Sequence, residues 1–368
     1  MSEQDRSAAR IARFNEALGS RYRVERELAA GGTATVYLAT DLKYQRPVAV
    51  KVFRPEVAEA MGHERFIREI AFVATLNHPH IVPLLDSGEA EELLYYVMPA
   101  VEGESLRDRM TREGQLPLDD ALRIAHDVAV ALDYAHGRNI VHRDIKPENI
   151  LLSMGTAVVA DFGIAKLVTN AKGNSLTRAG IAVGTVTYMS PEQAAAGAVD
   201  GRTDIYALGC VLFEMLAGRP PFVGKTTRAV VAAHFTEPMP SLKGFRDDVA
   251  AEMEVVLARA LAKEPDERFV TATAFVDALA EARRSASRER LLMRVTASEA
   301  AGLLAAGSPA GGAAGSATAS SAPGAEASRG AGAPGAPEEP AGLGGRWAII
   351  AAVMLIAALG LFLVLRPR

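Results

Sequence analysis

The apolar positions of the chain fall into three regimes. Between residues 22 and 98 they come as short runs rich in β-branched and aromatic residues, broken by Gly and Pro. Residues 22–28, 35–39, 47–53, 81–86 and 93–98 are thereby predicted to be strands. Residues 56–76 interrupt them with helical spacing. A further helix is predicted over 6–18, where Ile11, Phe14 and Leu18 share one face and Gly19 ends the pattern. From Ser105 onward the spacing is mostly helical, most clearly over 116–136 and 204–217. Strands first and helices second predict an α+β architecture of two lobes, a β-rich one followed by a helical one.

The third regime begins near residue 307. Of the 39 residues from 307 to 345, all but six are Ala, Gly, Pro or Ser. Such a stretch cannot bury a core and is expected to be a disordered linker, spanning roughly 35 Å root-mean-square. Residues 347–365 then form an uncharged run of 19. As a helix that run is about 28 Å long, against a hydrocarbon core of about 30 Å. Trp347 with Arg346 at one end, and Arg366 with Arg368 at the other, suit interfacial anchors. The expected organisation is an N-terminal helical extension (1–21), a folded domain (22–284), a helical extension (285–306), the linker (307–345) and one transmembrane helix (346–366).

Composition narrows the classes. A net charge of −4 and a pI near 6.0 give no electrostatic case for nucleic acid. The single cysteine, Cys210, excludes an intrachain disulfide. The first twenty residues lack a long apolar run, so no secretory signal is expected and the N-terminal part should stay in the cytosol.

Several segments carry candidate chemistry. Leu28-Ala29-Ala30-Gly31-Gly32-Thr33-Ala34-Thr35-Val36 lies between two predicted strands, and its small residues let backbone N–H groups approach phosphates. By itself it specifies only a turn. Val48-Ala49-Val50-Lys51 ends an apolar strand on a lysine, and Glu69 on the following helix is a candidate partner for it. Far more specific is Ile140-Val141-His142-Arg143-Asp144-Ile145-Lys146-Pro147-Glu148-Asn149-Ile150-Leu151. It precedes Ala160-Asp161-Phe162-Gly163, then Gly184-Thr185, Ser190-Pro191-Glu192, Asp204 and Arg268.

In that order and spacing, residues 22–283 resemble the eukaryotic-like (Hanks-type) serine/threonine protein kinases of bacteria. The resemblance implies the two-lobed protein-kinase fold and transfer from ATP, with Mg²⁺ or Mn²⁺, to Ser or Thr of protein substrates. It implies that Lys51 holds the α- and β-phosphates and pairs with Glu69, and that Asp144 receives the substrate hydroxyl. Lys146 would stabilise the transferring group, while Asn149 and Asp161 would hold the metal. Residues 28–36, with Ala49, Leu151, the gatekeeper Met98 and the hinge from Pro99 to Val101, would enclose the nucleotide. His142 and Phe162 would be packing residues, Asp204 a buried brace of the catalytic loop, and Arg268 the partner of Glu192. Arg143 makes Thr177, then Ser175, the expected phosphorylation sites of a switch between Asp161 and Glu192, with a transient dimer for trans-autophosphorylation.

Two departures stand out. Ala29 and Ala34 replace the first and third glycines of the family's phosphate loop, and Ser190 replaces the usual alanine before Pro191-Glu192. The alternative reading is a pseudokinase, a membrane-tethered nucleotide-binding scaffold. The intact Lys51, Asp144, Asn149 and Asp161 argue against it. A metabolic small-molecule kinase would leave Gly184-Thr185 and Ser190-Pro191-Glu192 unexplained. The expected location is the cytoplasmic membrane, single-pass, with the folded domain inside.

Overall fold

Alternation along three strands sets the two faces of the larger sheet. The computed structural model describes residues 11–162 and 186–288 apart from 13, 91 and 92. In it β1 (Tyr22–Ala30), β2 (Ala34–Asp41), β3 (Arg46–Phe53), β4 (Asp86–Ala90) and β5 (Leu93–Pro99) form an antiparallel sheet of order β1-β2-β3-β5-β4. Register places Val36, Lys51 and Tyr96 opposite one another across β2, β3 and β5, with Leu38, Ala49 and Met98 in the next row. Residues directly opposite share a face, so these six line the inner face.

The intervening positions Tyr37, Ala39, Val48, Val50 and Val97 point the other way. They pack with Phe14 and Leu18 of a helix at residues 14–18. Asn15 fixes that helix to β1: its Nδ2 donates to the Val24 carbonyl at 3.0 Å, and its Oδ1 accepts from the Val24 N–H at 2.7 Å. The expected N-terminal helix is thus the lid of the outer core, and its first residues lie outside those described.

The helix expected over 56–76 is two helices, α1 (Pro55–Met61) and α2 (His63–Val73), because Gly62 between them takes φ 75°. The strand expected over 81–86 is mostly irregular, with one isolated bridge between Ile81 and Val159. Pro83 within it has no N–H to give a ladder. The strand that forms instead is the polar β4, which exists by pairing with β5.

The second lobe opens with a small sheet of β6 (Glu104–Ser105), β7 (Ile150–Ser153) and β8 (Thr156–Val159), ordered β6-β7-β8. Met154 and Gly155, at φ 48° and 81°, make the two-residue turn between β7 and β8, the left-handed pair that a tight hairpin requires. Around it stand α3 (Leu106–Glu113), α4 (Leu118–His136), α5 (Pro191–Ala194), α6 (Gly201–Ala217), α7 (Thr227–Thr236) and α8 (Ala251–Ala260). A closing helix runs over 272–288. Every residue of α6 from Thr203 to Ala217 is buried, which makes it the axis of the lobe. Ile124, Val128 and Leu132 of α4 share one core with Tyr206, Cys210 and Phe213 of α6.

Among the described residues no helix is long and apolar enough to cross a membrane. The expected linker (307–345) and transmembrane helix (346–366), with most of the 285–306 extension, lie outside them.

Candidate active site

The loop carrying Asp144 hangs from one carboxylate on α6. Asp204, fully buried, accepts from the backbone N–H of His142 and of Arg143 and from Nε2 of His136, each at 2.8 Å. Three donors compensate a charge that burial alone would make costly. Arg143 takes φ 70° to reach this arrangement. His142 is clamped next: its Nε2 donates to the Ala160 carbonyl at 2.8 Å, and its Nδ1 accepts from the Asp144 N–H at 3.2 Å. Its ring meets Phe162 edge-on at 4.6 Å. His142 and Phe162 are therefore packing residues, and Asp204 is a brace.

Within the loop, Lys146 Nζ lies 2.6 Å from Asp144 Oδ2. Asn149 Nδ2 donates to the Asp144 carbonyl at 2.8 Å and to the same Oδ2 at 3.1 Å. The Asn149 amide nitrogen is thereby committed, which leaves its oxygen as a hard donor. The Ala160 N–H donates to the Asn149 carbonyl at 2.9 Å, tying this loop to the segment that carries Asp161.

Lys51 reaches the site from the inner face of the sheet. Its Nζ lies 2.5 Å from Asp161 Oδ2. The Asp161 side chain is only 17% exposed, and a carboxylate so far removed from water demands compensation. The Tyr96 hydroxyl donates to the other oxygen, Asp161 Oδ1. Burial would raise the Asp161 pKa, but the Lys51 ammonium and these hydrogen bonds hold it below the usual carboxylate value. Tyr96 appeared in the sequence only as a strand residue, and nothing in its local pattern marks it.

The turn between β1 and β2 is short. Ala29 and Ala30 pair with Val36 and Thr35, so only Gly31, Gly32 and Thr33 form its tip. The Gly31 N–H donates to the Ala34 carbonyl at 2.9 Å, and the Arg54 N–H to the Thr33 carbonyl at 3.0 Å. Ala34, 4% exposed, belongs to the inner core with Phe53 and Phe66. Of the residues expected around the nucleotide base, Val36, Ala49 and Met98 share the inner face. Leu28 sits at a bulge of β1, Pro99 ends β5 with Val101 two residues on, and Leu151 lies on β7 of the other lobe. Thr177, Ser175, Gly163, Gly184 and Thr185 fall outside the described residues.

Two polar networks, the first buried and the second partly so, brace the site. Arg268 meets Glu192, as expected, and Thr203 Oγ1 donates to the same carboxylate at 2.6 Å. Sequence spacing did not reveal the second. Arg107 donates to Glu148 and Glu214, each at 2.8 Å, and to the Tyr188 hydroxyl, which itself donates to Glu214.

Asn149 and Asp161 supply oxygen donors only, and among the described residues no cluster of three His, Cys, Asp or Glu side chains could hold a metal. That donor set suits Mg²⁺ or Mn²⁺ completed by phosphate oxygens and water, not a metal caged by protein.

Comparison with known proteins places the chain among relatives. Residues 22–278 match the family described as protein kinase domain. The chain is 44% identical over 262 residues to serine/threonine-protein kinase PknB of Mycolicibacterium smegmatis, covering 69% of this chain and 42% of that protein. PknB of Mycobacterium tuberculosis H37Rv is 43% identical over 262 residues, with the same coverage of 69% and 42%. PrkC of Bacillus subtilis is 40% identical over 257 residues, covering 69% of this chain and 39% of that protein. The chain thus spans about two fifths of the length of these relatives.

Proposed function

The chain belongs to the protein kinase family, and from that premise we propose that it transfers the γ-phosphoryl group of ATP to Ser and Thr hydroxyls of proteins, its own activation segment included. The observation that carries this reading is the meeting of Lys146 and Asn149 on one oxygen of Asp144. That contact fixes the carboxylate and leaves Oδ1 to receive a hydroxyl. A carboxylate near pKa 3.9 cannot deprotonate a hydroxyl near 15.7 in the ground state. Asp144 therefore orients the hydroxyl and takes its proton late, while Lys146 offsets charge on the transferring group. Phosphoryl transfer leaves little else for the protein beyond positioning and charge.

Asn149 and Asp161 hold the divalent cation, which when bound offsets charge on the phosphate oxygens. Lys51 binds the α- and β-phosphates, exchanging Asp161 for them, with Glu69 as its partner. The Ser/Thr specificity rests on Lys146, two residues after Asp144, and on Thr185.

The assay is transfer of labelled phosphate from ATP to casein in the presence of Mg²⁺, followed by phosphoamino-acid analysis. Phosphoserine and phosphothreonine are expected, and Asp144→Asn abolishes transfer while retaining ATP binding. Phosphotyrosine as the main product overturns the specificity. Full turnover by Asp144→Asn overturns the mechanism, and a wild-type protein that binds ATP without transfer is the pseudokinase.

Three further readings rest on sequence. Residues 346–366 tether the kinase to the cytoplasmic membrane with the folded domain inside, as the uncharged run and its flanking arginines suggest. Thr177, then Ser175, receives the activating phosphate, with the Arg143 guanidinium proposed as its partner, in a transient dimer. No nucleic-acid partner is proposed.

A further inference from the structure

We propose that Tyr96 is a positioning residue for the metal-binding carboxylate: its hydroxyl holds Asp161 in the orientation that receives the divalent cation of bound nucleotide. The proposal rests on the kinase reading above and adds to it a residue from the opposite lobe.

The backbones of the two metal-binding residues are already tied together. The Ala160 N–H bonds the Asn149 carbonyl, and the Ala160 carbonyl is held by His142. What remains free is the rotation of the Asp161 side chain, from a residue at φ 66°. Two donors from the other lobe fix it, Lys51 on Oδ2 and Tyr96 on Oδ1. Lys51 leaves when it binds phosphate, whereas the Tyr96 hydroxyl has no such competing duty. Each carboxylate oxygen keeps a lone pair for a metal.

The tyrosine is itself immobile. It is 2% exposed, and its ring packs on Phe53 at 6.0 Å, while Phe53 meets Phe66 of α2 edge-on at 5.7 Å. A buried aromatic whose hydroxyl merely finds a partner would look similar in a static structure. Metal dependence separates the two cases, because groups that orient a ligand set metal affinity and their loss costs about 10–100-fold.

The experiment titrates Mg²⁺ into the full chain with a fluorescent ATP analogue and reads bound nucleotide, not turnover. In Tyr96→Phe, which keeps the ring, the half-saturating Mg²⁺ concentration rises about tenfold, while metal-free analogue binding stays within about twofold. Tyr96→Met, which also lacks the donor, gives a shift of the same size and decides the question if the Phe variant fails to fold. In an Asp161→Asn background the Tyr96 change moves the Mg²⁺ dependence no further. A shift below about twofold in the single variants, or an equal shift in both backgrounds, overturns the proposal. A wild-type chain without Mg²⁺-dependent nucleotide binding takes down the kinase reading as well, so the two failures are distinguishable.

Discussion

Arg268 grips Glu192 with both arms of its guanidinium, Nη1 to Oε1 and Nη2 to Oε2, each at 2.8 Å, across 76 residues of sequence. Its remaining donors go to the carbonyls of Ala262, Arg202 and Lys263. The guanidinium is wholly buried, and burial of Glu192 is outweighed by this pairing, which keeps its pKa below the usual value. Removing the arginine strands a buried carboxylate and orphans three carbonyls. Arg268→Ala should cost about 3–5 kcal/mol, visible as a fall of roughly 6–20 °C in melting temperature. A loss under 1 kcal/mol would show that the pair contributes little.

The transfer step should depend on Lys146 in kcat more than in binding. Its ammonium sits 2.6 Å from Asp144, and removing one charge-stabilising donor costs about 10²–10³ in kcat. Lys146→Met is expected to lose that much while the ATP dissociation constant moves little. A variant whose whole defect is weaker ATP binding would assign Lys146 to the ground state.

Stability should fall on the alkaline side of neutrality because of His136. Burial alone would lower its pKa, but the Asp204 carboxylate at 2.8 Å, with Asp133 and Asp200 nearby, raises it. The folded protein therefore holds this proton more tightly than the unfolded chain. The stabilisation is complete below the unfolded value of about 6.5 and is lost as pH rises through the folded pKa. The urea midpoint is expected to decline from pH 6 to 8, and His136→Gln to flatten that decline. An equally steep decline in the variant would exclude His136 as its source.

The N-terminal helix belongs to the folded lobe even though the family match begins at Tyr22. Phe14 is 6% exposed and lies 5.6 Å from the Tyr37 ring. Phe14→Ala should destabilise by about 3–5 kcal/mol. Asn15→Ala, which orphans both backbone groups of Val24, should cost about 1–3 kcal/mol. Denaturant unfolding of the two variants checks both. A chain starting at residue 22 with unchanged midpoint would show that the helix is a passive cover.

The division between what the sequence disclosed and what it withheld follows contact range. Asp144, Lys146 and Asn149 lie within six residues, so their mutual geometry is local and their spacing reports it. The strands around Lys51 were legible because alternation on a half-buried sheet is written along one strand at a time. β4 was not, since Asp86-Ser87-Gly88 has no strand character and its pairing depends on β5. The same reason hid Tyr96, whose partner Asp161 is 65 residues away. It also hid the contact of Lys51 with Asp161, 110 residues away, which only the assembled lobes bring together.

Suspending Asp144, Lys146 and Asn149 from α6, while Lys51 rides on the sheet, places the chemistry on two separate carriers. Rotation of one lobe against the other would leave the loop's internal spacings untouched, because Asp204 holds its start at His142 and Arg143 and Asn149 ties its end back to Asp144. The same rotation would move Lys51 relative to Asp161 directly. In such a site the frequency of closure, rather than order within the loop, would limit how often Lys51 and the loop meet the nucleotide together. Turnover slowed by added viscogen, with the catalytic loop's own amide-exchange protection unaltered, is the kinetic trace such a two-carrier site leaves.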